Sequence, residues 1–95
     1  MTERVIVGEK DVPRLAPHVR LNFDDRRQQW VVLAPERVII PDEIAVEVLR
    51  HCTGAVSLGA VIDTLVGEYS APREEIARDV IDLVEDLIVR GVLRT

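Results

Sequence analysis

The chain has 95 residues, 47% of them hydrophobic, and a formal net charge of -5. That length fits one domain, and the apolar content suffices for a packed core. The acidity removes the long-range attraction to nucleic-acid phosphate and to anionic membrane surfaces, so neither is an expected partner. One cysteine, Cys52, excludes an internal disulfide. No apolar run approaches a bilayer span, and Met1-Thr2-Glu3-Arg4 lacks the apolar region of a signal peptide, so a cytoplasmic location is expected. Phe23, Trp30 and Tyr69 are the only aromatics, which leaves the core to Val, Leu and Ile.

Segment 1–12 reads as flexible and residues 13–95 as the folded domain. Val5-Ile6-Val7 carries three adjacent β-formers; it either frays or pairs with another chain's sheet edge, a route to a homodimer. Gly8 to Pro13 reads as a loop. From His18 to Asp24 the pattern alternates, with Val19, Leu21 and Phe23 on one face and Arg20, Asn22 and Asp24 on the other, which predicts a half-buried strand. A polar turn to Gln28 and a β-rich run over Gln29–Leu33 complete an antiparallel hairpin. Ala34-Pro35-Glu36-Arg37 is a tight turn, and Val38-Ile39-Ile40 a third short strand. This strand is apolar on both faces. At a sheet edge it needs a cover, supplied by a helix of the same chain or by a strand from a partner.

Asp42 is an N-cap for a helix whose apolar face holds Ile44, Ala45, Val48, Leu49 and Cys52, ended by Thr53-Gly54. Ser57 caps a second helix with a stripe of Leu58, Val61, Ile62, Leu65, Val66 and Tyr69; Gly67 lies opposite. The third and longest helix spans Pro72 to Arg90, with Pro72 in its first turn and Gly91 as its stop. Ile76, Val80, Leu83, Val84, Leu87 and Ile88 form its apolar face, and Ala77 and Ile81 widen it to roughly 160°, where a core-facing stripe needs about 100°. The surplus flank either packs under the N-terminal segment or faces a partner. Val92-Leu93 is expected to fold back onto the core. Three strands followed by three helices give an α+β fold, winged-helix-like, with a three-stranded antiparallel sheet.

The catalytic inventory is thin. His51 and Cys52 are helix neighbours and do not face each other, so they make no nucleophile pair, and Cys52 falls on the apolar face. Two histidines and one cysteine in unrelated places suggest no metal site, the five glycines form no phosphate loop, and no cofactor is implied. Asp79, Asp82, Glu85 and Asp86 read as a solvated face or as a patch that steers a basic partner. The alternative of a winged-helix DNA-binding protein requires basic residues on a recognition helix. The second helix has no Lys or Arg, and the third sets Arg73, Arg78 and Arg90 against six acids.

Several stretches together resemble the PqqD family of pyrroloquinoline quinone (PQQ) biosynthesis. They are Pro13-Arg14-Leu15, Val19-Arg20-Leu21, Trp30-Val31-Val32-Leu33-Ala34-Pro35-Glu36, Ile40-Pro41-Asp42, Cys52-Thr53-Gly54, Leu65 to Tyr69, and Leu87 to Leu93. Pro41-Asp42 departs from the family's more usual Leu-Asn-like pair, and the N-terminus is longer and more apolar. The resemblance implies a peptide chaperone and not an enzyme. Such a protein binds the precursor peptide PqqA and presents it to the radical S-adenosylmethionine enzyme PqqE. The same fold serves as a leader-peptide recognition element, in which the leader adds to the third strand and lies against the third helix. Carried over by position, the resemblance implies a strand edge of Arg37, Val38, Ile39 and Ile40. The helix wall would come from between Ile76 and Ile88. Helix arithmetic favours Ala77, Ile81 and Ile88, with Val84 beside them and Leu83 as the competitor.

Overall fold

The computed structural model describes residues 5–95. Four strands precede three helices and a fifth strand follows: β1 (Arg14–Leu15), β2 (Arg20–Asp24), β3 (Gln29–Ala34), β4 (Arg37–Ile39), α1 (Glu43–His51), α2 (Leu58–Glu68), α3 (Arg73–Val89) and β5 (Leu93–Arg94). The central unit is the expected three-stranded antiparallel sheet, in the order β2-β3-β4. Two features were not anticipated. β1 and β5 form a separate antiparallel pair, matching Arg14 with Arg94 and Leu15 with Leu93. The first long strand starts at Arg20, because His18 takes a left-handed turn at φ 65.

Local chemistry sets both hairpins. At the first turn the Asp24 carboxylate accepts from the amides of Arg26 (3.0 Å) and Arg27 (3.2 Å), holding the chain while it reverses. At the second, Pro35 keeps a negative φ and Glu36 follows at φ 64, the sign pattern of a type II turn. The register sets Leu21 and Ile39 on either side of Val32, which is 1% exposed and anchors the sheet in the core. Phe23, expected to point inward with Leu21, is 42% exposed at the sheet's end.

The helix caps follow the sequence. Asp42 Oδ1 accepts the Ala45 amide at 2.8 Å, and Ser57 Oγ accepts that of Ala60 at 3.2 Å. α1 buries Ala45, Val46, Val48 and Leu49, whereas Ile44, expected on the same face, is 61% exposed. α3 buries Ala77, Val80, Val84 and Leu87. Pro72 stands one position earlier than expected, at the N-cap. Gly91, at φ 80, donates to the Ile88 carbonyl, and Val92 donates to that of Leu87, which ends α3 in a Schellman motif. This reversal drives Val92 and Leu93 into the core, at 0% and 2% exposure, and delivers β5 to β1. Among the described residues no helix is long and apolar enough to cross a membrane.

The N-terminal segment lies against the surplus flank of α3, one of the two covers expected for it. Residues 5–7 are not a strand; the Val7 amide donates instead to the Glu85 carboxylate of α3 at 2.8 Å, and Val7 is buried. Glu85, read as part of a solvated face, is therefore a ligand for backbone. The orphan donors of α2 are also met here: Leu58 N–H reaches the Asp11 carbonyl (2.7 Å) and Gly59 N–H the Glu9 carbonyl (2.8 Å). The Arg73 guanidinium clamps the Glu9 carboxylate (2.6 Å) and Asp63 (2.8 Å). These contacts fasten residues 7–11, which the sequence placed in the flexible segment; residues 1–4 lie outside the described part.

Two glycines of α2 give opposite predictions. A Cβ at Gly59 would stand 3.1 Å from Glu9 Oε1 and 3.2 Å from the Glu9 carbonyl, whereas one at Gly67 meets nothing within 4 Å. Helix preference alone favours alanine over glycine by about 1 kcal/mol. Thermal unfolding of Gly67→Ala is expected to show that gain, about 0.5–1 kcal/mol. Gly59→Ala is expected to lose about 1 kcal/mol, because the backbone it would push aside caps the helix. The clamp also carries a pH dependence. The hydrogen bond from Arg73, first among the causes, lowers the pKa of Glu9 below its ordinary value. The clamp's contribution is therefore complete above the ordinary glutamate range and fades as acid protonates Glu9. Exchange protection of the Leu58 and Gly59 amides should fall on acidification below that range, as pH passes the lowered pKa of Glu9.

Candidate functional site

A two-residue connection makes the flanking residues, Ala34 and Arg37, exchange both of their main-chain hydrogen bonds. Bonded and unbonded pairs then alternate along the ladder. In the observed register, Ala34–Arg37, Leu33–Val38 and Val32–Ile39, the second bonded pair is Val32–Ile39. Val38 therefore turns its N–H and C=O away from β3. Ile40, one step beyond the strand, continues that outward parity. β4 is the last strand of the sheet, and no further strand pairs with it among the described residues.

The edge runs beside α3. A hollow of about 200 Å³ separates them, lined by Ile39 and Ile40 on one side and by Leu83, Asp86, Leu87 and Arg90 on the other. Its width is held at one end by Arg37, whose Nη2 donates to the Arg90 carbonyl at the negative end of α3. Arg90 in turn pairs with Asp86 at 3.1 Å. Arg37 is thus a brace between strand and helix. Val38 and Ile40 remain exposed, at 61% and 57%.

The expected wall residues divide between three places. Leu83 lines the hollow. Val84 and Ala77 lie in the core, at 0% and 8% exposure. Ile81 and Ile88 are half-buried on the flank of Glu85, roughly 100–200° around the helix from Leu83, the flank to which Val7 is tied. Asp86 and Leu87, inside the expected span but not singled out, and Arg90, beyond it, line the hollow with Leu83. They follow Leu83 at three-, four- and seven-residue steps, a signal visible on the helix once β4 is known to lie there.

The charged residues that line the hollow are Asp42, which caps α1, and the paired Asp86 and Arg90. Cys52 is 3% exposed, and burial pushes its thiol up to about 12, so it remains a neutral core residue at physiological pH. Elsewhere, Glu47, His51 and Glu68 bring their ligand atoms within 4.8 Å of one another. They are three groups at a surface notch that Arg50 also lines, one fewer than the four ligands of a closed structural site. The hollow borders an open sheet edge where Val38 keeps a main-chain donor and acceptor unused by β3, and it has an apolar wall and a charged rim. An extended peptide needs these features to add as a strand.

Comparison with known proteins agrees with the architecture. Residues 29–93 match the family model described as coenzyme PQQ synthesis protein D (PqqD). The chain is 53% identical over 90 residues to a PqqA binding protein of Rhodopseudomonas palustris, covering 95% of this chain and 88% of that one. It is 51% identical over 89 residues to a PqqA binding protein of Bradyrhizobium diazoefficiens, covering 94% and 86%. The solution structure of the PqqD truncation of Methylobacterium extorquens PqqCD, described as a stand-alone recognition element for ribosomally synthesized, modified peptides, superposes with a TM-score of 0.81. That match has 34% identity and covers 99% of this chain and 100% of the other. The crystal structure of PqqD from Xanthomonas campestris is 40% identical with a TM-score of 0.58, over 94% and 99%. By sequence and by fold, this chain belongs to the PqqD family.

Proposed function

We propose that the protein is a non-catalytic adaptor of PQQ biosynthesis. It binds a PqqA-type precursor peptide by strand addition at β4 and holds it for the radical enzyme PqqE in the cytoplasm. The observation that carries the reading is the outward main chain of Val38 beside the Leu83–Leu87–Arg90 wall. The names of its relatives, PqqA binding proteins, support the choice of peptide.

The division of labour is physical. Hydrogen bonds from Val38, and from Ile40 beyond it, supply affinity that is indifferent to side chains. The hollow between Ile39 and Leu83 receives alternate side chains of the visitor and selects among them. Asp86 at the rim favours a basic group there. Ordering a flexible peptide costs entropy, so affinity depends on how well this edge is already formed, and the Arg37 brace forms it in advance. The same open edge is where two copies of the chain could pair. A homodimer of that kind would compete with the peptide, and raising protein concentration would then weaken peptide binding.

Val38→Pro removes the outward donor and leaves the bonds of the β3–β4 ladder in place, as edge prolines do. A proline at Ile39 would instead break the bond to Val32. Titration of Val38→Pro with PqqA is expected to show affinity reduced by about tenfold or more, 1.4 kcal/mol per factor of ten, with the melting temperature little changed. A peptide N-methylated at the amide facing Val38 should lose affinity against the unaltered protein. Unchanged affinity in both measurements would refute strand addition at this edge.

A further inference from the structure

An adaptor that holds a peptide for an enzyme needs a second face, clear of the first. The hollow at β4 uses Asp42, Ala45 and Leu49 of α1. Turned by roughly 120° around the same helix lie Glu43, Val46, Glu47 and Arg50, which open onto a different and larger hollow of about 460 Å³. The chain has three aromatic residues in all, and every one of them lines it: Phe23, Trp30 and Tyr69. They come from β2, β3 and the end of α2, so the fold gathers them there from distant stretches of sequence.

The residues are arranged in layers. Phe23 meets Trp30 edge-to-face, with ring centroids 5.4 Å apart and planes at 74°. The Arg50 guanidinium lies 5.6 Å from the centre of the Trp30 ring. Phe23 and Tyr69 stay 42% and 45% exposed, and Ile44, from the adjoining apolar hollow that shares Tyr69 and Glu47, is 61% exposed. A core would cover such residues; centres of protein–protein interfaces are rich in them. The rim is acidic. Glu43 and Glu47 flank the aromatic floor, and Glu68 stands with Glu47 across a neighbouring notch of about 280 Å³. Three carboxylates face one guanidinium, whose nearest approach to Glu47 is 3.7 Å.

We propose that this aromatic face of α1 docks the protein that works on the bound peptide, by taking an apolar side chain flanked by Lys or Arg. The apolar group would rest on Phe23, Trp30 and Tyr69. The basic head would enter the notch lined by Glu47, Arg50, His51 and Glu68, whose two carboxylates outnumber the one guanidinium, itself drawn over the Trp30 ring. The inference rests on the adaptor reading above, and its test separates the two.

The probes are the radical enzyme PqqE and the PqqA peptide, each titrated against the full chain and its variants. Ile44→Glu and Phe23→Ala change exposed side chains and should leave the fold intact. Each is expected to weaken enzyme binding by about tenfold or more while peptide affinity stays unchanged. Val38→Pro should show the reverse. Glu47→Gln should flatten the salt dependence of enzyme binding. Enzyme affinity unaltered in both Ile44→Glu and Phe23→Ala overturns the assignment and leaves the adaptor reading standing. Loss of peptide affinity instead assigns the face to a second stretch of peptide. A sedimentation mass that falls to the monomer assigns it to a second copy of the chain. Wild-type protein that binds the peptide and never the enzyme overturns the docking face and the presentation step together.

Discussion

A turn of two residues decides which backbone groups this sheet keeps and which it leaves open. Pro35 and Glu36 close β3 onto β4 so tightly that Ala34 and Arg37 must pair with each other. From that point alternation is obligatory: Ile39 belongs to the sheet and Val38 does not. One residue more in the connection would exchange their roles. Side-chain parity follows from the same constraint. Ile39 faces the core and α3, and Val38 stands out on the exposed side. The backbone that can receive a guest and the side chain that helps line its groove are therefore fixed together.

The other described residues keep that edge in place and leave it uncovered. Arg37 ties the strand to the last carbonyl of α3. The Schellman stop at Gly91 sets Val92 into the lining of the hollow and leads the chain into β5, which pairs with β1 and not with β4. The N-terminal segment could have filled the groove. Its carbonyls are occupied at the start of α2, and the Val7 amide at Glu85, on the opposite flank of α3. A short apolar edge is ordinarily a liability for self-association. Here the neighbouring helix sets a charged pair, Asp86 and Arg90, at the rim beside that apolar edge.

Much of this was legible in the residues, and what was not has physical causes. The inward positions of Val19 and Leu21, the caps Asp42 and Ser57, and the stop at Gly91 are local signals, and each appears in the structure at or beside its expected place. β1 and β5 are two residues long, too short for any period, and pair the two ends of the chain. The docking of residues 7–11 uses main-chain carbonyls and one carboxylate, for which composition has no signature. The width of the apolar stripe on α3 was plain, but a stripe says how much is covered and not by what. Ala77 and Val84 went to the core, Ile81 and Ile88 to the flank of Glu85, and Leu83 to the groove. Ile44 and Phe23 were assigned inward by period alone and are exposed: Phe23 lines the aromatic hollow between α1 and the sheet, and Ile44 the adjoining one between the helices.

Amide hydrogen exchange, read residue by residue on the free monomer and again with saturating precursor peptide, tests the central claim most directly. The account predicts that the Ile39 amide is protected in both states, since it belongs to the ladder. The Val38 amide should exchange freely alone and become protected only when the peptide is present. A Val38 amide already slow in the free monomer, or still fast at saturation, would contradict it.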